Sequence, residues 1–107
     1  LSRSGHSTGR ALFEAISKGG ATAAGRNSGR IEEGALADLF ALDIDSICLA
    51  GLESDTLLDS YVFAGDDGLV TDVWSAGRHL VREGRHVGRD KILEKYRRTM
   101  SELRDAL

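Results

Sequence analysis

Two glycines seven residues apart, Gly77 and Gly84, divide residues 70–87 into three short runs. The runs cover residues 70–76, 79–82 and 85–87, and a glycine turn separates each from the next. Runs of this length joined by glycine turns are typical of a small antiparallel meander. We therefore expect an α+β fold in which this meander is the central feature.

Helical periodicity occurs on both sides of the meander. Residues 10–18 place Leu12, Phe13 and Ile16 on one face of a helix, and Gly19-Gly20 predicts its end, with residues 21–24 forming at most one further turn. Residues 57–64 predict a second helix, and residues 90–107 predict a third that begins at the acidic Asp90. The apolar stripe of this third helix consists of Ile92, Leu93, Tyr96, Met100, Leu103 and Leu107.

The remaining segments predict loops and two further strands. Residues 1–9 are expected to form a loop in which Ser7 or Thr8 caps the first helix. Residues 26–29 and 33–34 have the composition of turns and flank a short strand at 30–32. Residues 37–44 predict a mostly buried strand, and residues 45–55 predict irregular structure.

The composition excludes several classes of protein. The chain has 107 residues, enough for one domain or pieces of two, and 41% of them are hydrophobic, too many for a disordered tail. The net charge of −3 gives no indication of a nucleic-acid or membrane partner. Cys48 is the single cysteine, so an intrachain disulfide is excluded. No apolar run reaches the roughly 20 residues of a membrane span, and the polar residues 1–10 do not have the pattern expected of a signal peptide. The chain begins at Leu1 rather than Met, and a short polar stretch leads straight into the first helix, which predicts a piece of a longer protein.

Two glycine motifs resemble catalytic or nucleotide-binding signatures. Residues 5–9 match G-x-S-x-G, the nucleophile elbow of serine hydrolases, but only polar residues precede them where a strand is required. We interpret Ser7 as a helix cap instead. Residues 20–27 approach the phosphate-binding G-x4-G-K-[ST], with Arg26 in place of lysine and Asn27 in place of the hydroxyl. A helix precedes this motif where a strand belongs, so we do not expect a nucleotide site.

Three groups of titratable residues are interpreted as surface or turn residues rather than as functional sites. His79 and His86 could meet across the meander, but only Cys48 remains to complete a zinc site, so we expect surface histidines. Asp38, Asp43 and Asp45 could suggest paired carboxylates, but Asp38 and Asp43 fall on opposite faces of a regular strand, and Asp45 is expected to cap a turn. A basic cluster near the C-terminus is interspersed with acidic residues and predicts a solvated, salt-bridged face; it consists of Arg85, His86, Arg89, Lys91, Lys95, Arg97 and Arg98.

A longer pattern resembles the stretch that ends the barrel in amidohydrolase-superfamily enzymes. It runs Gly29-Arg30-Ile31-Glu32-Glu33-Gly34-Ala35-Leu36-Ala37-Asp38-Leu39, followed by Leu42-Asp43. Residues 73–85 resemble the closing hairpin of the same superfamily. Within the superfamily, residues 9–21 and 57–74 are similar to the formimidoylglutamate deiminase family, with Tyr61 where tryptophan is usual and Ser75 where valine is common.

The resemblance implies an α+β fragment of a (β/α)8 metal-hydrolase barrel enzyme. Residues 1–26 would end the barrel domain, residues 27–88 would form part of an accessory β-sandwich, and residues 89–107 would form a C-terminal helix. Zinc or another divalent metal would be bound upstream of this chain, by a His-x-His pair, a further His and an Asp. No residue of this chain matches a ligand motif, so catalytic, cofactor-binding and metal residues are all expected to be absent from it.

The resemblance also implies the activity and partners of the parent enzyme. It would deiminate N-formimino-L-glutamate to N-formyl-L-glutamate and ammonia in cytoplasmic histidine degradation, and the chain alone is expected to be inactive. The expected partners are the small-molecule substrate, the missing N-terminal part of the same protein and a second copy in a homodimer. No nucleic-acid or membrane partner is expected. Another superfamily deaminase, an imidazolonepropionase and a non-enzymatic assembly domain remain as alternatives.

Overall fold

The computed structural model describes residues 6–107, so residues 1–5 of the predicted N-terminal loop lie outside the described part. The described chain forms three α-helices, one four-stranded antiparallel sheet and a short 3-10 helix at Asp67–Leu69. The helices are α1 at Thr8–Ala24, α2 at Ser54–Ala64 and α3 at Arg89–Ala106. The strands are β1 at Leu39–Leu42, β2 at Val70–Ser75, β3 at Arg78–Arg82 and β4 at Arg85–His86.

Helix α1 begins two residues earlier and ends six residues later than the sequence predicts. Its N-terminal cap is Ser7, as expected. The predicted end at Gly19-Gly20 is wrong, because the following alanines are strong helix formers and carry the helix on to Gly25. Gly25 has a φ of 66°, and the Arg26 N–H donates to the Ala21 carbonyl at 3.0 Å. This is a Schellman ending, which requires a left-handed residue and favours glycine.

The predicted meander is confirmed. The strand order is β1-β2-β3-β4, and each strand pairs antiparallel with the next. Both hairpin turns contain two residues, Ala76-Gly77 and Glu83-Gly84, and all four residues have positive φ. These are the conformations of type I′ turns, whose twist matches that of the flanking strands.

Two strand predictions fail before the meander. Residues 30–32 form no strand, and the Ile31 side chain is 91% exposed, because Gly29 and Gly34 both have positive φ and bend this segment into a loop. The predicted strand at 37–44 shortens to Leu39–Leu42, and Phe40 is 41% exposed rather than buried. Residues 43–53 are irregular, as predicted, and α2 then begins three residues earlier than expected.

The centre of the molecule is a row of three aromatic rings between the helices and the sheet. Phe13 of α1 lies 6.0 Å from Phe40 of β1, and Phe40 lies 5.9 Å from Tyr61 of α2, measured between ring centroids. Among the large hydrophobic side chains of the described residues, only Leu49 and Leu69 are buried. The sheet and the two helices therefore enclose a thin core and leave much apolar surface open.

Helix α3 follows β4 and matches its predicted bounds within one residue. None of its residues is buried, and the predicted apolar stripe is exposed along most of its length. The Cα radius of gyration is 17.9 Å, whereas a compact chain of this length would have one of about 13 Å. No helix in residues 6–107 has the length and hydropathy needed to cross a membrane.

Candidate functional site

The N-terminus of α1 forms a polar junction with α2. The Arg10 N–H donates to Ser7 Oγ at 3.2 Å, so the Ser7 hydroxyl acts as the predicted helix cap. The Ser7 N–H donates to Asp55 at 2.9 Å, and the Gly9 N–H donates to Asp59 at 2.7 Å. Two carboxylates thus occupy the positive end of the α1 dipole and bind amides that have no partner within the helix. Ser7 is built into a helix junction here, as a cap rather than a nucleophile.

Arg10 completes the same junction from the α1 side. Its Nε donates to Asp55, and a terminal nitrogen lies 3.5 Å from Glu14. The Arg10 hydrogen bond and the Ser7 backbone amide both lower the pKa of the Asp55 carboxyl. Gly9 is buried where the helices meet, and a Cβ there would lie 2.3 Å from Asp59 Oδ1 and 2.7 Å from its Cα. The closeness of α1 and α2 therefore depends on a residue without a side chain.

Asp38 forms a second polar junction, which joins three segments. Arg26 donates two hydrogen bonds of 2.7 Å to the two Asp38 oxygens, and the Ala76 N–H donates to the same carboxylate at 2.9 Å. The Arg26 guanidinium, followed by the Ala76 amide, holds the pKa of Asp38 far below its usual range. A carboxylate whose pKa is lowered in this way is a weak base, so Asp38 is poorly suited to accept a proton.

The contacts of Arg26 and Asp43 bear on two hypotheses from the sequence. Arg26, the counterpart of the phosphate-binding lysine, is engaged by Asp38, and residues 20–24 of that motif lie within α1. The expected turn-capping role belongs to Asp43 rather than Asp45, because Asp43 Oδ1 accepts the Asp45 N–H at 3.0 Å. Asp43 precedes the turn, and that position allows its side chain to reach a backbone amide two residues ahead.

His79 and His86 have separate partners. His79 Nε2 lies 2.7 Å from Asp72 Oδ2, and the His79 ring stacks on Trp74 with 4.4 Å between centroids. His86 Nδ1 accepts the Gly88 N–H at 2.9 Å. Cys48 lies exposed with a free thiol. Within residues 6–107, no group of three or more His, Cys, Asp or Glu side chains could hold a metal ion.

The basic cluster near the C-terminus forms a salt-bridged surface, as predicted. Arg85 lies 3.2 Å from Asp90, and Arg98 lies 3.1 Å from Glu94. All four side chains are more than half exposed, so each pair contributes little to stability.

Phe40 lies at the centre of an open apolar surface, which we call the Phe40 face. Grooves on this face run between α1 and β1, between α1 and α2, and along the sheet. The first has a volume of about 400 Å³, and the charged residues at its border include Arg10 and Asp38, which are already engaged in ion pairs. The lining of the Phe40 face is largely apolar; it includes Phe13, Ile16, Ile31, Leu39, Leu58, Tyr61, Val73 and Trp74. Such a surface is suited to packing against protein.

The sequence patterns did not indicate the contacts that Asp55, Asp59 and Asp72 make. Asp55 and Asp59 are four residues apart on α2, a spacing that places both on one helix face, but their partners lie 48 and 50 residues away in the sequence. Asp72 faces His79 because the β2–β3 hairpin brings neighbouring strand positions together. The hairpin was predicted, so this contact could have been found from its register.

The comparisons with known proteins agree with this architecture. The sequence model of the Amidohydrolase family matches residues 3–80. The chain is 42% identical over 97 residues to a formimidoylglutamate deiminase of Pseudomonas aeruginosa, which covers 91% of this chain and 21% of that protein. An amidohydrolase crystal structure from Brucella melitensis superposes with a TM-score of 0.77 and 37% identity, over 96% of this chain and 22% of the other. The chain thus spans about a fifth of the length of both relatives. It belongs to the amidohydrolase family.

Proposed function

We propose that this chain is the C-terminal part of a formimidoylglutamate deiminase. The intact enzyme would hydrolyse N-formimino-L-glutamate to N-formyl-L-glutamate and ammonia, in the cytoplasmic breakdown of histidine. The observation that carries the proposal is the 42% identity to the Pseudomonas deiminase across 91% of the chain. The family match over residues 3–80 supports the broader class of hydrolase.

The contribution of this chain to that enzyme is structural. In this proposal α1 ends a (β/α)8 barrel, the four strands belong to an accessory β-sandwich, and α3 closes the chain. Three side chains whose residue type could take part in catalysis are each engaged in an ion pair or hydrogen bond; they are Arg10, Asp38 and His79. The catalytic residues and the ligands of zinc, or of another divalent metal, would then belong to the rest of the protein.

The rest of the enzyme is also the proposed cover of the Phe40 face. A chain of 107 residues with two buried large hydrophobic side chains among its described residues has little core of its own. Each Å² of apolar surface removed from water stabilises by roughly 25 cal/mol, so burying this face would contribute substantially to folding. The part of the enzyme that precedes it would therefore add to the stability of this chain.

An ammonia-release assay on the full-length gene product tests the activity. Formiminoglutamate, guanine, adenine and imidazolonepropionate would be supplied side by side, and we expect formiminoglutamate to have the highest kcat/KM. If a ring substrate is preferred a hundredfold, which corresponds to about 2.7 kcal/mol in the transition state, the deiminase proposal is wrong while the family assignment stands. The 107-residue chain alone serves as a control, and we expect it to release no ammonia and to hold no stoichiometric zinc by metal analysis.

A further inference from the structure

The polar contacts between α1 and α2 lie at the first turn of α1. Of the seventeen residues of α1, Gly9 is the one that is buried. The Gly9 N–H donates to Asp59 at 2.7 Å, and the N–H of Ser7, one residue before the helix, donates to Asp55 at 2.9 Å. Both carboxylates bind main-chain amides, so they fix the path of the backbone into α1 as well as the distance between the helices.

The residue that precedes α1 is held by all of its polar groups. Its N–H is bound by Asp55, as described above. The Ser7 Oγ accepts the Arg10 N–H at 3.2 Å, and the Ser7 carbonyl accepts the Ala11 N–H at 3.0 Å. The Arg10 side chain donates in turn to Asp55. The position and direction of the chain at Ser7 are therefore set jointly by α1 and by a carboxylate of α2.

The first turn of α1 has a particular place in the proposed barrel. In a (β/α)8 barrel each strand is followed by a helix, and the active site is built from the loops that lead from the strand ends into the helices. If α1 is the last barrel helix, as proposed above, the loop from the last strand ends at Ser7. A loop at the active-site face would then be anchored by α2, which belongs to the accessory part of the chain.

The other end of α1 provides an internal comparison. There Asp38 binds Arg26 and the Ala76 N–H, again an arginine and a backbone amide on one carboxylate. A rise of 1.5 Å per residue places the two junctions about 25 Å apart along the seventeen residues of α1. The C-terminal end of a barrel helix lies at the face away from the active site, where side chains contribute to stability. The two junctions are therefore alike in chemistry and differ in the face of the barrel that they would hold.

We propose that Asp55 and Asp59 are positioning residues for the active site of the intact enzyme. From the accessory part of the chain they hold the loop that enters α1 in the geometry that the reaction needs. Neither side chain touches the substrate, because both act through the backbone at Ser7 and Gly9. The proposal rests on the assignment of α1 as the last barrel helix. Reaction rates depend steeply on such placement, since a displacement of about 1 Å can lower the rate about a hundredfold.

Kinetics of the full-length enzyme with Asp59→Ala test the proposal. We expect kcat to fall about tenfold or more, because the Gly9 amide loses its anchor and the loop shifts. Asp59→Asn retains an oxygen that can accept the Gly9 N–H, and it should recover most of the loss. Asp38→Ala is the matched control, since it removes the similar junction at the other end of α1. It should lower the Tm and leave kcat close to that of the wild type. All rates are measured at a temperature at which circular dichroism shows every variant to be folded.

A pair of substrates separates a displaced loop from a smaller amount of folded enzyme. N-formimino-L-aspartate is one methylene group shorter than formiminoglutamate, a difference that active sites commonly distinguish by about tenfold or more in kcat/KM. Loss of folded enzyme lowers both rates equally. A displaced loop should instead weaken the discrimination about threefold or more in Asp59→Ala, and Asp38→Ala should leave it unchanged. If Asp59→Ala does not fold, Asp55→Asn is measured in the same way, because it loses the charge opposite Arg10.

Unchanged kcat and unchanged discrimination in folded Asp59→Ala would overturn the proposal. Equal losses in Asp59→Ala and Asp38→Ala would also overturn it, because the junction at the active-site face would then have no special effect. The wild type reports separately on the proposed function. If it prefers another substrate, the deiminase assignment is wrong, and the positioning role is measured with that substrate and an analogue that differs from it by one group.

Discussion

Asp38 contacts two distant segments of the described chain through its carboxylate. Its carboxylate holds Arg26 after α1 and the Ala76 amide in the β2–β3 turn, and it directly precedes β1. The loop after α1, the first strand and the first hairpin turn therefore share one anchor. The side chains of Arg26 and Asp38 are 40% and 27% exposed, so water weakens their ion pair without removing its two-bond geometry.

The stability that Asp38 provides should depend on pH in a defined direction. Its pKa in the folded chain lies below the value of about 3.9 in an unfolded chain, so its contribution is fully present above pH 4. It is then lost as the pH falls from about 4 towards the folded pKa. We expect Asp38→Asn to lower the Tm of the full-length protein at pH 7, and the difference from wild type to shrink below pH 4. Asp105→Asn, on exposed α3, is the control, and a difference that is constant with pH would contradict the assignment.

At the scale of the elements, helices and strands encoded by neighbouring residues were predictable from the sequence, whereas contacts between distant residues were not. The meander and α3 were predicted within one or two residues, because glycine turns and an apolar stripe of helical period are encoded over a few positions. Gly19-Gly20 misled the prediction of α1, because glycine lowers helix propensity by only about 1 kcal/mol per residue and four helix-compatible residues follow. The turns on both sides of Ile31 were predicted, but the three residues between them form no strand. The junction of Asp55 and Asp59 with α1 had no local signal at all.

The glycines of α1 provide a matched pair of substitutions. Gly20→Ala should stabilise the helix by about 0.5–1 kcal/mol, because Gly20 is helical and nothing lies within 4 Å of the position of an added Cβ. Gly25→Ala should destabilise it by about 1–2 kcal/mol, because the left-handed φ of 66° strains an alanine although space is equally open. Hydrogen exchange of the α1 amides in the full-length protein measures both. Equal effects of the two substitutions would show that α1 ends elsewhere.

At the scale of the whole molecule, the described chain resembles one side of an interface more than a complete domain. Its radius of gyration is well above that of a compact chain, and the aromatic row at its centre is open on one side. Sequence composition did not reveal this, because 41% hydrophobic residues is normal for a protein with its own core. The arrangement of those residues, rather than their number, leaves the Phe40 face and α3 open.

The contribution of the Phe40 face to the free energy of unfolding should differ between the whole enzyme and the isolated chain. If the rest of the protein buries Phe40, Phe40→Ala should destabilise the full-length enzyme by about 3–5 kcal/mol. In the 107-residue chain, where the side chain is 41% exposed, the effect should be clearly smaller. Thermal unfolding of both forms gives the comparison, with Ile47→Ala as a control at a 94% exposed side chain outside the grooves. Equal losses in the two forms would show that the face stays open in the enzyme.

The two sides of the junction between α1 and α2 are synthesised at different times. Ser7 and Gly9 bind carboxylates that lie 48 and 50 residues further along the chain. At about 5–20 residues per second, a ribosome needs roughly 2–10 seconds to add the residues between them. During that interval water alone satisfies those two amides of α1, and Phe13 and Ile16 lack the aromatic neighbours contributed by β1 and α2. Since these two contacts span more of the sequence than any other hydrogen bond of the described residues, the segment from Ser7 to Asp59 is the part of the described chain that waits longest for its partners, and a chaperone could act on it during that interval.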